Sequence, residues 1–157
     1  MSTSLDSDIE VLRRIPFFEG FSEEHLRLIA FSAESRALPE KLLIYDEGQL
    51  LHSAYVLVTG TMRAERKATE GDGVVTRSIG PGVILGERAL IVDTRATEAI
   101  RVETKARVLQ IRKVIFRRLL IEYPEITLAL RAKMARTLTQ TNAEFARVAR
   151  RLNAIEL

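Results

Sequence analysis

The chain has 157 residues, 46% of them hydrophobic and 29% charged, with no cysteine, no tryptophan and a formal charge of +3. That length supports one domain with a genuine core, and the apolar fraction excludes a disordered chain. The missing cysteine excludes disulfide frameworks, thiolate zinc sites, iron–sulfur clusters and cysteine nucleophiles. The charge hides an asymmetry: residues 1–111 hold 14 basic and 17 acidic residues, whereas residues 112–157 hold 10 basic and 4 acidic.

The first ten residues are polar and acidic, unlike a secretory or transit peptide, and no apolar run approaches the ~20 residues of a membrane span. A cytoplasmic protein without membrane contact is expected. Asp8 to Arg14 predicts a short helix that Ile15-Pro16 stops. Ser22 is a helix N-cap, with Glu23 and Glu24 opposing the dipole and Leu26, Ile29 and Ala30 at helical spacing. Phe17, Phe18 and Phe21 between these helices read as packing residues.

Seven of the eight glycines fall between Gly48 and Gly86, which marks the middle of the chain as strands joined by turns. Leu42 to Tyr45 precedes the turn Asp46-Glu47-Gly48, and Tyr55 to Val58 precedes Thr59-Gly60. Thr61 to Ala68 runs into Gly71-Asp72-Gly73, a hairpin signal, and Gly80-Pro81-Gly82 is another turn. Thr97 to Val102 and Ala106 to Ile111 predict a last strand pair joined by Glu103-Thr104-Lys105. Short strands between glycine turns predict a small antiparallel barrel or sandwich.

After Pro124 there is neither glycine nor proline. Val114 to Tyr123 predicts an amphipathic helix. Met134, Leu138, Thr141, Phe145, Val148, Leu152 and Ile155 then alternate spacings of four and three, a heptad seam. As one helix, residues 125–156 would reach ~48 Å, beyond what so small a body covers. This predicts two parts, residues 1–123 as the β domain and 124–157 as a long C-terminal helix that pairs with a second copy into a homodimer.

One stretch carries chemistry. A strand ends at Leu85, Gly86 permits close backbone approach, and a helical turn begins near Glu87-Arg88-Ala89. Exposed N–H groups at such a turn form an anion nest; Glu87 would accept hydrogen bonds from a hydroxyl, and Arg88 and Arg95 would supply countercharge. His25 and His52 read as surface residues, and no hydrolase triad, P-loop or metal-ligand cluster appears. The chain reads as a binding module, neither an enzyme nor a metalloprotein.

The order of these parts resembles the cyclic nucleotide-binding domain family, along essentially the whole chain. The resemblance rests on Ile15-Pro16-Phe17-Phe18, Tyr45-Asp46-Glu47-Gly48, Tyr55-Val56-Leu57-Val58-Thr59-Gly60, Ile79-Gly80-Pro81-Gly82 and, above all, Leu85-Gly86-Glu87-Arg88-Ala89-Leu90. It implies a mainly β protein: an eight-stranded antiparallel β-roll of jelly-roll type with flanking helices and a long C-terminal helix. It also implies a ligand, cAMP or cGMP. Glu87 would bind the ribose 2′-hydroxyl, the amides around Gly86 and Ala89 the cyclic phosphate, and the segment Arg95-Ala96-Thr97 would supply the phosphate arginine and its small neighbours. Thr141 and Asn142 fall where the family's long helix contacts the base; Thr141 is equally a polar seam residue that sets register.

Two departures stand out. The family arginine comes about nine residues after the glutamate, and Arg95 is one residue early. Ungapped alignment puts Ala96 in its place and Ala99 at the following Thr/Ser position, whereas a one-residue deletion restores Arg95 but leaves Glu98 there. Arg88 stands where an apolar residue is commoner. The expected function is a stand-alone sensor signalling through its C-terminal helix. The alternative is a degenerate domain that has lost its nucleotide and serves dimerisation or a protein partner. With the sequence ending at Leu157, no recognition helix is expected, and hence no sequence-specific DNA binding by this chain alone.

Overall fold

The computed structural model describes residues 4–136. The chain divides into two compact units, Met1–Leu119 and Leu120–Leu157.

Two short helices open the first unit: α1 (Ser4–Arg13) and α2 (Glu23–Ser32), with a 3₁₀ turn, Pro16–Phe18, between them. Ser22 caps α2 as its sequence predicts, its hydroxyl accepting from the His25 N–H at 3.1 Å. Ile9, Leu12, Leu26 and Ile29 are fully buried, each such side chain contributing about 1.5–3 kcal/mol. The phenylalanines pack as expected: Phe18 is buried edge-on to Phe17 at 5.1 Å and against Phe21 at 5.6 Å. Asp8, buried on α1, accepts from Arg107 of the sheet at 2.9 Å and so ties the helices to the strands.

The sheet has six strands: β1 (Glu34–Leu38), β2 (Leu43–Tyr45), β3 (Ser53–Lys67), β4 (Val74–Ile79), β5 (Ile84–Leu85) and β6 (Ala99–Arg112). All pairings are antiparallel; β1-β6-β3-β4 forms the main order, β2 adds to β6 and β5 to β3. This is the antiparallel β-roll with flanking helices that the sequence predicts.

The strand count differs from the expected eight, and the reason is physical. Thr59-Gly60 does not end a strand, and Glu103-Thr104-Lys105 does not form a turn. Instead β3 and β6 bend together. Their register shifts between Leu57 and Met62, where Gly60 takes φ +88°. A Cβ on Gly60 would lie 2.4 Å from the Lys105 carbonyl oxygen and 2.7 Å from the Ala106 Cα. The glycine therefore lets one bent strand press onto the other without breaking either, the geometry of a β-bulge. Each side of the bend takes its own neighbour. Tyr55-Val56 pairs with β5 and Met62–Lys67 with β4, while Ile100-Arg101 pairs with β2 and Ala106–Gln110 with β1. Counting the two long strands once on each side of the bend restores eight segments.

The predicted hairpin at Gly71-Asp72-Gly73 is present, with Lys67 opposite Val74 and the Ala68 N–H donating to the Gly73 carbonyl at 2.9 Å. Inside the roll lie Leu38, Tyr45, Leu57, Met62, Ile79, Ile100, Val102 and Val108. Leu51, Leu85, Ala89 and Ala96 belong to the same core, so the segment carrying the predicted chemistry is anchored in it. After β6, α3 spans Lys113–Glu122.

In the second unit a fourth helix, α4, runs over 124–136. Pro124 stands in its first turn, where its missing N–H costs nothing. Thr127 Oγ1 donates to the Leu120 carbonyl at 2.9 Å. Of the heptad seam only Met134 is described; the rest, from Leu138 to Ile155 and including Thr141, lies outside the described residues, as does Asn142.

Candidate functional site

The turn after β5 is built around Gly86, whose φ of +77° and ψ of 23° are left-handed. A Cβ there would approach Leu51 Cδ1 and the Ser53 carbonyl oxygen at 3.3 Å, so both conformation and space favour glycine. The chain then enters a 3₁₀ turn, Glu87–Leu90, closed at its start by the Ala89 N–H donating to the Gly86 carbonyl at 3.1 Å. Ala89 and Leu90 are fully buried and fix this turn to the core. The N–H groups of Glu87 and Arg88 precede the first hydrogen bond of the turn.

From the turn the chain returns along the loop Asp46–Leu51. The Leu51 N–H donates to the Thr94 carbonyl at 2.9 Å, the Ala96 N–H to the Gln49 carbonyl at 2.9 Å, and the Gly48 N–H to the Ala96 carbonyl at 2.7 Å. The predicted turn Asp46-Glu47-Gly48 is thus the support of the arginine segment. Arg95 itself is exposed and donates one guanidinium N–H to the Gly48 carbonyl at 3.1 Å.

These pieces enclose one cavity of about 560 Å³, inside the range of small-molecule sites. Of the residues predicted from sequence, Leu85, Gly86, Glu87, Arg88, Arg95, Ala96 and Thr97 line it. Ala89 does not reach the wall; its side chain is in the core beneath, and its N–H is engaged in the 3₁₀ turn. Thr141 and Asn142 lie outside the described residues.

Sequence reasoning missed other members of the wall, among them Arg77 and Tyr45. Arg77 sits on β4 directly opposite Ala64, a buried residue, which turns it to the inner side of the sheet. The hairpin register fixes that pairing, so the signal was present in the spacing around Gly71-Asp72-Gly73. Arg77 donates to Glu98 at 2.5 Å. Tyr45 is buried, and its phenol is held well above the usual range, first by burial and then by the carboxylates of Glu98 and Glu87. Its tilted ring packs 6.2 Å from that of Tyr55.

Electrostatically the wall is mixed: Arg77, Arg88 and Arg95 face Glu87, Asp93 and Glu98. Asp93 is held by Arg117 at 3.3 Å and Lys113 at 3.4 Å, both on α3, and the Arg117 hydrogen bond leads in lowering its pKa. Arg117 also donates to the Ala89 carbonyl at 3.4 Å. Among the described residues, Glu87 and Arg88 enter no salt bridge. No group of three or more His, Asp or Glu side chains converges as a metal site among the described residues. Nor is any described helix long and apolar enough to cross a membrane.

The profile of the cyclic nucleotide-binding domain family matches residues 35–123. A cyclic nucleotide-binding-like protein from Brucella abortus is 40% identical to the chain, covering 73% of it and 98% of its own length with a TM-score of 0.67. The N-terminal domain of a transcriptional regulator from Streptomyces coelicolor is 25% identical over 86% of this chain and 94% of its own, with a TM-score of 0.79. Among curated relatives, the CRP-like cAMP-activated global transcriptional regulator of Mycobacterium tuberculosis is 23% identical over 137 residues, 87% of this chain. The cAMP-activated global transcriptional regulator CRP of Escherichia coli is 28% identical over 112 residues, 71% of this chain. The chain spans 61% and 53% of the length of these two regulators. Family profile, shared fold and the turn around Gly86 agree: the chain belongs to the cyclic nucleotide-binding domain family.

Proposed function

We propose that the chain is a cyclic nucleotide sensor module that takes cAMP or cGMP in the cavity beside Gly86. One observation carries the reading. A single cavity holds a carboxylate outside any salt bridge among the described residues, Glu87, next to a left-handed glycine turn and two arginines, Arg88 and Arg95. A carboxylate free to accept suits a sugar hydroxyl. The amides of Glu87 and Arg88 and the two guanidinium groups suit a phosphate.

Charge narrows the ligand class. Of the charged side chains lining the cavity, Asp93 is held by Lys113 and Arg117 of α3 and Glu98 by Arg77, and the unpaired remainder, Glu87, Arg88 and Arg95, carries one net positive charge. A cyclic phosphodiester carries one negative charge and a neighbouring 2′-hydroxyl, which matches this set.

The route outward runs through α3. Arg117 holds both the Ala89 carbonyl and Asp93, so a shift of the phosphate turn would be felt by this helix. In this reading α3 passes the shift to the C-terminal helix, through which two copies pair. The nucleotide can bias that arrangement only by its differential affinity for the two states. Work of this kind is regulatory, and the module acts without enzymatic chemistry, in the cytoplasm, on a partner still to be identified.

Isothermal titration with cAMP and cGMP tests the reading: saturable heat accompanied by a thermal shift is expected from at least one. Arg95→Ala and Arg88→Ala then assign the phosphate contact, with a loss of about ten- to a hundredfold at whichever guanidinium makes it. No heat and no thermal shift at millimolar nucleotide would leave the degenerate, ligand-free interaction module as the correct description.

A further inference from the structure

A pocket for an anion needs a defined charge, and the Arg77–Glu98 pair has no part in the contacts assigned above. It joins β4 to the segment entering β6, although β4 pairs only with β3 in the sheet. Its members are unequally placed: the Glu98 side chain is 21% exposed and that of Arg77 60%. The carboxylate is therefore set in the wall, and the guanidinium approaches from the open side. Without Arg77, Glu98 would be an uncompensated negative charge in the same cavity as Glu87. Without Glu98, Arg77 would be a third free cation beside Arg88 and Arg95.

Resting on the nucleotide reading of this cavity, we propose that the Arg77–Glu98 pair sets the charge of the site. It ties one guanidinium to one carboxylate so that a single net positive charge faces the ligand. The site thereby favours a singly charged phosphodiester over a doubly charged phosphomonoester. At neutral pH a 5′-phosphate is mostly doubly ionised, because its second pKa lies near 6. It would need one more cation than the closed pair leaves free. Arg77 is the reserve that the pair withholds, and Glu98 is the residue that withholds it.

The test is a four-protein titration at one fixed ionic strength, with cAMP and 5′-AMP against wild type, Glu98→Gln, Arg77→Gln and the double variant. Both side chains reach solvent, and thermal melts confirm that each protein is folded. Glu98→Gln frees Arg77 and is expected to tighten 5′-AMP about tenfold relative to cAMP. Arg77→Gln exposes Glu98 and is expected to weaken both ligands about tenfold. The double variant restores the net charge and should return close to the wild-type preference. Wild-type affinities and preference in both single variants, or a double variant that simply adds two losses, overturns the charge-setting role while cAMP binding stands. Failure of all four proteins to bind either nucleotide overturns the nucleotide reading, and this inference with it.

Discussion

Gly60 and Gly86 are both left-handed glycines on the same roll, at φ +88° and +77°, yet they serve different ends. Around Gly60 a missing Cβ lets backbone touch backbone: the nearest obstacles to a side chain are the Lys105 carbonyl and the Ala106 main chain, under 3 Å away. Around Gly86 the neighbours stand 3.3 Å off, and the turn faces a cavity of about 560 Å³. The first glycine shapes the sheet, and the second bends a turn that opens onto the cavity. Local conformation alone does not tell a structural turn from a functional one; what lies across from it does.

Gly60→Ala disturbs the close backbone approach directly. The left-handed strain of about 1–2 kcal/mol adds to a clash that only backbone movement relieves. A loss of about 3 kcal/mol or more is expected, seen as a fall in the urea midpoint, with ligand affinity lost only as the fold is lost. A midpoint within error of wild type would show that β3 and β6 do not need this close approach.

Asp8→Asn probes the sheet from the helical side. Its carboxylate is buried against Arg107 at 2.9 Å, and removing its charge is expected to cost about 1–3 kcal/mol. Nucleotide affinity should not change, since neither residue lines the cavity.

The smallest effect at neutral pH is that of Tyr45→Phe. Burial, Glu98 and Glu87 raise the folded Tyr45 pKa above its unfolded value of about 10. Above pH 10 the unfolded chain therefore loses this proton first. The stability that the neutral phenol supports is complete below pH 10 and declines as pH rises beyond it. Tyr45→Phe should flatten that alkaline decline in a pH series of thermal melts, and an unchanged slope would show that Tyr45 does not carry it.

Much of this was legible in the sequence. The Asp46-Glu47-Gly48 turn, Ser22 as a cap and the Gly71-Asp72-Gly73 hairpin follow from local chemistry, and the structure places these as read. Thr59-Gly60 and Glu103-Thr104-Lys105 misled because each looks like a turn by itself. Only their mutual contact, some forty residues apart in sequence, makes them one shared bend. The site divides in the same way. Leu85 to Arg88 is contiguous and readable, whereas Arg77 reaches the cavity through strand register and Tyr45 through the roll's closure. The shifted arginine illustrates the limit well: spacing alone left Arg95 and Ala96 as rivals, and the two turn out to be adjacent on one wall, with Arg95 exposed and Ala96 buried.

The proposed role of Glu87 is to receive a ribose 2′-hydroxyl in a site for a cyclic phosphodiester. Its most direct test compares the affinity of the wild-type chain for cAMP and for the 2′-deoxy analogue by isothermal titration. A hydrogen bond to a carboxylate of about 1.5–3 kcal/mol predicts ten- to a hundredfold weaker binding of the analogue. Equal affinities, or no heat from either ligand at millimolar concentration, would contradict the account.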